Sequence, residues 1–180
     1  MKLMVASDVH GSQYACQKLL QRFAEEKADF LVVLGDLYYH GPRNPLPEGY
    51  DPMQVCELLT SVKEKLIAVR GNCDADVDLM ISDFPIPKSV QILLGNRKVF
   101  ASHGDVYSAD CLPPVKKGTV VLFGHTHVAG IWEKDGVYAV NPGSCSLPKN
   151  GTKAGYVLLT ENAVTFKLLD GEAYQCKVLS

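Results

Sequence analysis

Short apolar runs recur along the chain, and most of them end at a small or polar residue. Runs of four to eight apolar residues bounded by Gly, Asp or Asn are typical of buried strands. The pattern predicts such strands at 3–7, 30–34, 66–70, 90–94, 98–102 and 119–123. Apolar positions at helical spacing predict helices at 12–26, 52–62 and 74–81, the second of them capped by Asp51.

The two halves of the chain differ in the strand pairing that they predict. Strand–helix–strand order in the first half indicates parallel pairing. The second half contains Asp135-Gly136 between two apolar runs, which is a strong hairpin signal. Its predicted strands are 131–134, 137–140, 156–160, 164–168 and 175–179. We therefore expect an α/β fold in a single domain, 1–180, with a parallel-rich first half and an antiparallel second half.

The composition excludes several classes of protein. With 47% hydrophobic and 21% charged residues, the chain has the profile of a globular domain. Its net charge of −2, with only four arginines among 18 basic residues, argues against a stable nucleic-acid complex. No run reaches the length of a membrane span, and the N-terminal apolar run is too short for a secretory signal. We therefore expect no membrane partner, a cytoplasmic location and six free thiols.

Polar residues cluster where the predicted strands end. Ligands of open α/β sheets bind at the carboxyl ends of the strands, so these residues are candidates for a common site. Four of the five histidines belong to the cluster. Its members are Asp8, His10, Asp36, Asn72, His103, His125 and His127.

The chemistry of this set favours two metal ions. Seven mixed oxygen and nitrogen ligands are too many for one tetrahedral zinc, and no thiolate cluster is present. They suit two first-row divalent ions such as Mn, Fe, Co or Zn. Two such ions clamp the attacking and leaving oxygens of a phosphoryl displacement and activate a water molecule as hydroxide. A carboxylate such as Asp36 can bridge them.

The ordered motifs carry a family resemblance. They are DVH (8–10), GDLYYHG (35–41), GNCD (71–74), SHGD (102–105), GHTH (124–127) and NPGS (141–144). This set resembles the calcineurin-like metallophosphoesterases. The short length, GNCD, NPGS and the segment 40–50 resemble the YfcE-type phosphodiesterase branch of that superfamily. The resemblance implies a two-sheet αββα sandwich, a cytoplasmic enzyme and possible assembly into a dimer or tetramer.

The resemblance also implies roles for the ligands. Asp8, His10 and His127 would hold a first metal, and Asn72, His103 and His125 a second. Asp36 would bridge the two. It further implies a catalytic role for Asp36, Asn72 and His103. It favours Mn as the metal, with Fe, Zn, Ni and Co as alternatives.

Four further residues are candidates for substrate binding. His40, Arg43 and Asn44 lie in a Pro/Gly-rich loop, and Arg suits bidentate contact with phosphate. Cys73 stands where many superfamily members have a His that protonates the leaving group. Because a thiol is a poorer acid near neutral pH, we expect poor leaving groups to react slowly. We expect Asp74 either to cap the following helix or to orient a ligand.

These features predict a phosphoric diester hydrolase that uses a dinuclear metal site to attack a small phosphodiester. Two alternatives remain open from the sequence. One is a phosphomonoesterase or nucleotide hydrolase with the same site. The other is a non-catalytic interaction scaffold on this fold, as the retromer scaffold subunit exemplifies, although that subunit lacks a full ligand set.

Overall fold

The computed structural model describes residues 1–180 and forms two mixed β-sheets with three α-helices. In chain order the strands are β1 (Leu3–Ala6), β2 (Phe30–Val33), β3 (Leu66–Ala68), β4 (Ser89–Leu94), β5 (Arg97–Ser102), β6 (Val120–Leu122), β7 (Gly130–Lys134), β8 (Val137–Asn141), β9 (Gly155–Leu159), β10 (Ala163–Leu168) and β11 (Ala173–Val178). The helices are α1 (Gln13–Glu26), α2 (Pro52–Thr60) and α3 (Asp76–Ile81), and a 3₁₀ turn spans Lys63–Lys65.

The first sheet has the strand order β11-β10-β9-β1-β2-β3. Its strands β1, β2 and β3 are parallel, as the strand–helix–strand order predicts, and α1 and α2 connect them. The pairing aligns Leu3 with Phe30 and Val33 with Ala68. The carboxyl ends of these three strands therefore meet at one edge of the sheet.

The second sheet has the order β4-β5-β6-β8-β7 and corrects one expectation. The hairpins β4–β5 and β7–β8 are antiparallel as predicted, but β5, β6 and β8 pair in parallel. The prediction of an antiparallel second half is therefore wrong for its central strands. A turn signal such as Asp135-Gly136 fixes only the pairing across that turn, and the other edge of β8 remains available for β6.

Helix boundaries also differ from the pattern by a few residues. The helix predicted at 52–62 ends at Thr60, where the Ser61 hydroxyl donates to the Leu58 carbonyl and the chain tightens into the 3₁₀ turn. Its predicted cap is confirmed, since the Asp51 side chain accepts from the amide of Gln54. The helix predicted at 74–81 begins at Asp76.

The apolar residues form two clusters on opposite faces of the first sheet. Leu3 and Val5 face the second sheet, whereas Met4 and Ala6 face the helices. Because β1 is covered on both faces, all four of its residues are buried, and the strand appears in the sequence as an uninterrupted apolar run. None of the helices has the length and apolar character that crossing a bilayer requires.

Candidate metal centre

Loops from both sheets bring the predicted ligands together. The first sheet contributes the loops that follow β1, β2 and β3, and the second sheet contributes those that follow β5 and β6. These loops carry Asp8 with His10, then Asp36, Asn72, His103, and His125 with His127. The site therefore forms where the carboxyl ends of strands in the two sheets converge, as expected for an α/β fold.

Asp8, His10 and His127 form the first ligand group. The Asp8 Oδ1 atom lies 3.3 Å from His127 Nε2 and 3.7 Å from His10 Nε2. The two imidazole Nε2 atoms are 3.1 Å apart. All three side chains are buried, so their polar atoms face one another rather than solvent.

The second ligand group surrounds His103. Its Nε2 atom lies 3.0 Å from Asn72 Oδ1, 3.3 Å from His125 Nδ1 and 3.4 Å from Asp36 Oδ2. The same Asp36 oxygen is 3.7 Å from His10 Nε2 of the first group. Asp36 therefore lies between the two groups, where a bridging carboxylate belongs.

Backbone carbonyls orient three of the imidazoles. The Nδ1 atoms of His10, His103 and His127 lie 2.7, 2.7 and 2.6 Å from carbonyl oxygens of neighbouring segments. Each Nδ1–H donates to its carbonyl, which directs Nε2 toward the centre of the site. Metal-ligating histidines in proteins are usually fixed in this way.

The charges of the site are strongly coupled. Burial alone raises the pKa of Asp36, but the hydrogen bond and charge of His103 outweigh it and lower the pKa to about 2. Burial lowers the pKa of His103, yet the carboxylates of Asp36 and Asp8 raise it to about 9. A cation that binds at His103 therefore displaces a proton from Nε2.

One buried oxygen has no hydrogen-bond partner. The Oδ1 atom of Asp8 is inaccessible to solvent and accepts no hydrogen bond, although Oδ2 accepts from the amide of His125. Leaving a buried carboxylate oxygen unpaired is costly, and coordination to a cation removes that cost. The orphaned oxygen and the inward-facing ring nitrogens fit divalent metal ions of the kind that bind mixed oxygen and nitrogen ligands.

The backbone holds the ligands in an uncommon conformation. Five of the seven predicted ligands have positive φ, between 52° and 66°: Asp8, His10, Asp36, His125 and His127. For residues other than Gly, this left-handed backbone conformation costs about 1–3 kcal/mol. Residues that adopt it cluster at functional sites. The strand-end loops therefore carry strain where the ligands converge.

A cavity of about 500 Å³ adjoins the site. Asp36, Asn72, His125 and His127 line it together with three of the predicted substrate residues, Arg43, Asn44 and Cys73. The fourth, His40, lies outside the lining. Its ring packs 4.8 Å from that of Tyr39 and 5.4 Å from that of Tyr50, measured between centroids.

Cys73 lies close to the ligands. Its backbone amide donates to Asp36 Oδ1 at 2.8 Å, and its thiol lies within 4.8 Å of ligand atoms of Asp36 and His10. Burial and the neighbouring carboxylate of Asp36 raise the pKa of the thiol to about 12. The thiol therefore lies beside a carboxylate that faces both groups of candidate ligands.

Asp74 connects two of the loops that carry candidate ligands. Its carboxylate accepts hydrogen bonds from the amides of Asp36, Leu37 and Gly71 at 2.7–2.9 Å. The capping role expected as one alternative is wrong, because the residue that precedes α3 is Ala75. The orienting role fits instead, since these bonds join the loops that follow β2 and β3.

Sequence reasoning missed further supporting groups. The hydroxyls of Ser144 and Ser146 both donate to the carbonyl of Asp8, at 2.7 and 2.9 Å. The side chain of Lys149 lines the cavity. The NPGS motif contributed to the family resemblance but did not predict a contact with the loop that carries Asp8. Nothing in the sequence around Lys149 indicates a place in the cavity, since the fold alone brings it there.

Comparisons with known proteins identify the family of this chain. A family model described as the calcineurin-like phosphoesterase superfamily domain matches residues 1–163. Phosphodiesterase YfcE of Escherichia coli strain K12 is 42% identical over 179 residues, which cover 99% of this chain and 97% of the relative.

Solved structures confirm the predicted two-sheet fold. The structure of YfcE, a phosphoesterase from E. coli, superposes with a TM-score of 0.96 and 42% identity over 100% of both chains. Vacuolar Protein Sorting 29 from Cryptosporidium parvum superposes with a TM-score of 0.66 at 19% identity, over 99% of this chain and 97% of that one, and shares the fold alone. The chain therefore belongs to the calcineurin-like phosphoesterase superfamily and, within it, to the YfcE-type metallophosphoesterases.

Proposed function

We propose that this protein hydrolyses small phosphodiesters with two divalent metal ions held side by side. The observation that carries the proposal is the position of Asp36, whose Oδ2 atom faces His103 at 3.4 Å and His10 at 3.7 Å. One carboxylate thus faces ligands of both groups. The name of the E. coli relative, phosphodiesterase, supports the choice of a diester substrate.

Each ligand group would hold one cation. Asp8, His10 and His127 would bind the first, and Asn72, His103 and His125 the second, with Asp36 shared between them. Carboxylate and amide oxygens suit Mn, and imidazoles suit Fe, Ni and Zn. We propose Mn for the assay because the shared ligand is a carboxylate.

The bound cations supply Lewis acidity, which activates a water molecule and neutralises charge on the phosphoryl oxygens. The residues of the chain hold this arrangement in place. Asp36, Asn72 and His103 are the catalytic residues, because they line or adjoin the cavity wall on the side of the second group. Carbonyls bonded to Nδ1 keep the rings from rotating, so little reorganisation is needed during the reaction.

The chemistry of Cys73 restricts the leaving group. A thiol is a poorer general acid near neutral pH than an imidazole. An acidic leaving group such as p-nitrophenol departs as its anion without protonation, so esters of such alcohols should react well. Esters of simple alcohols lack the acceleration of about 10²–10⁴-fold that general acids supply.

The test is hydrolysis of bis(p-nitrophenyl) phosphate and of p-nitrophenyl phosphate by protein stripped of metal and reloaded with single divalent ions. We expect Mn-dependent turnover with a preference for the diester. The variant Asp36→Asn should lose at least ~10²-fold in kcat, the scale on which groups that stabilise developing charge act.

Asp110→Asn provides the matched control, because this exposed carboxylate makes no ion pair and lies outside the cavity. It should retain wild-type rates. Faster turnover of the monoester would show a phosphomonoesterase instead. A folded protein that turns over neither ester with any divalent ion would contradict the proposal and favour a scaffold.

A further inference from the structure

The cavity beside the candidate metal centre contains two cationic side chains. Arg43 lines it from the loop that follows β2, and Lys149 lines it from the loop that follows β8. Asp36 is the only acidic residue in the lining, and it already faces His103 and His10. No Phe, Tyr or Trp lines the cavity. The rings that line it are the imidazoles of the candidate ligands His125 and His127, so the side chains left to recognise a bound molecule are polar or cationic.

Arg43 differs from the other arginines of the chain. Arg22 pairs with Glu25, Arg70 pairs with Asp76, and Arg97 donates to backbone carbonyls. Arg43 donates to no protein group, and the Lys149 ammonium makes no ion pair. A guanidinium without a protein partner, placed in the wall of a cavity, is available for bidentate contact with an anion.

Hydrogen bonds connect the loops that carry the two cationic residues to the first ligand group. The segment before Arg43 supplies the Tyr39 carbonyl that accepts from His10 Nδ1 at 2.7 Å. The amide of Lys149 donates to the carbonyl of His127 at 3.1 Å. The two loops are therefore held next to His10 and His127, and the exposed side chains of Arg43 and Lys149 line the cavity from these loops.

Charge counting shows that the metal centre does not need these cations for a simple diester. Two divalent ions exceed the charges of Asp8 and Asp36 by two, since the other ligands are neutral. A phosphodiester monoanion and a hydroxide nucleophile balance that excess. Arg43 and Lys149 then add two positive charges, which match a separate phosphate group near its dianionic form.

We propose that Arg43 and Lys149 form a second anion subsite and that the substrate is a phosphodiester with a phosphate monoester on one of its alcohols. This inference rests on the proposed function, because it names the substrate class of the same site. The phosphodiester is cleaved at the metal centre, and the distal phosphate binds to the two cations without reacting.

A matched pair of chromogenic diesters tests the subsite. Thymidine 5′-(p-nitrophenyl phosphate) and its 3′-phosphorylated form differ only in the distal phosphate. With Mn-loaded wild-type protein, we expect the 3′-phosphate to raise kcat/KM by at least ~10-fold, which corresponds to about 1.4 kcal/mol. In the double variant Arg43→Gln/Lys149→Gln the ratio of the two kcat/KM values should fall to about one.

Lys116→Gln is the control for a general loss of positive charge. Lys116 lines a separate basic cavity with Arg97 and Lys117, so this variant should keep the wild-type ratio. A wild-type ratio of one would overturn the subsite. A high ratio that persists in the double variant would overturn it as well.

Binding separates failure of the subsite from failure of the proposed function. If neither diester is cleaved with any divalent ion, the proposed function fails, and calorimetry then decides the subsite. Thymidine 3′,5′-bisphosphate should bind the Mn-loaded protein ~10-fold more tightly than thymidine 5′-phosphate, and the double variant should lose that difference. Equal affinities in the wild type would overturn the subsite.

Discussion

Asp74 shows how one residue outside the ligand set determines the geometry of the site. Asp74 does not line the cavity and makes no hydrogen bond to the side chain of a candidate ligand. Its carboxylate instead accepts hydrogen bonds from the backbone amides of Asp36, Leu37 and Gly71. Gly71 in turn has no room for a side chain, because a Cβ there would collide with the carboxylate of Asp36. Backbone contacts thus set the position of the Asp36 carboxylate.

Replacement of Asp74 should affect stability and metal affinity together. Both carboxylate oxygens of Asp74 accept hydrogen bonds from backbone N–H groups. In Asp74→Asn the side-chain NH₂ replaces one of these oxygens and faces a backbone N–H, so at least one buried hydrogen bond is lost. We expect a loss of about 1–3 kcal/mol in the free energy of unfolding. Metal affinity should fall about 10–100-fold, as is typical for groups that orient ligands. Urea unfolding and calorimetric titration with Mn measure the two effects.

Asp76→Asn is the matched control for this prediction. Asp76 lies two residues further along, with a side chain that is 91% exposed, and it pairs only with Arg70. Its replacement should change stability by less than about 0.5 kcal/mol. If the two variants behave alike, the three amide contacts of Asp74 do not position Asp36.

At the scale of elements, the sequence predicted most strands and helices but not their full arrangement. The apolar run of β1 identified a strand because both of its faces are buried. The same run contains no information on which sheet it joins. The parallel pairing of β6 with β8 depends on contacts between segments far apart in the chain, which no local pattern reveals.

The residues of the candidate site were likewise predictable only where a local pattern in the sequence marks them. Asp8, His10 and the other candidate ligands were predicted because they follow the ends of apolar runs and because their residue types suit metal ions. Lys149 was not predicted, because its place in the cavity depends on how the loop after β8 bonds to His127. Residues that act through tertiary contacts alone leave no pattern along the chain.

The end of α1 is joined to the first sheet by an ionic contact that depends on pH. Glu26 accepts from the Tyr156 hydroxyl at 2.8 Å and pairs with Lys167, which connects α1 to β9 and β10. Burial raises the pKa of Glu26, but the hydrogen bonds of Lys167 and Tyr156 outweigh it, so the pKa is lowered. A carboxyl with a lowered pKa in the folded state stabilises the protein when it is ionised.

Glu26→Gln should therefore destabilise the protein at neutral pH but not in acid. We expect a loss of about 1–3 kcal/mol in the free energy of unfolding at pH 7. The difference from wild type is complete above the ordinary glutamate pKa and shrinks as the pH falls through the lowered pKa. Urea unfolding at a series of pH values measures it.

Glu25→Gln is the control on the same helix. Its carboxylate is 49% exposed and pairs with Arg22 on the surface. Such pairs contribute little, so we expect a change within about 0.5 kcal/mol at every pH. A difference between Glu26→Gln and wild type that persists unchanged at low pH would contradict the ionic account.

For the whole molecule, the two sheets share one core and one site. The cluster between them contains Leu3 and Val5 of the first sheet and Val120 and Leu122 of the second. The candidate ligands also come from both sheets, as Asp36 of the first and His103 of the second show. We therefore propose that residues 1–180 form one domain that unfolds cooperatively.

The single tryptophan provides a test of cooperativity. Trp132 lies in β7 at the edge of the second sheet, whereas the long helices flank the first. Tryptophan fluorescence and far-ultraviolet circular dichroism should give the same urea midpoint, as for two-state domains. Separate midpoints would show that the sheets unfold independently.

Crystals grown with Mn would reveal whether two cations bind on either side of Asp36. Anomalous difference maps should show two peaks about 3.5–4 Å apart, both in contact with the Asp36 carboxylate. One peak should contact Asp8, His10 and His127, and the other Asn72, His103 and His125. A single peak, or two peaks that do not share Asp36, would contradict the dinuclear account.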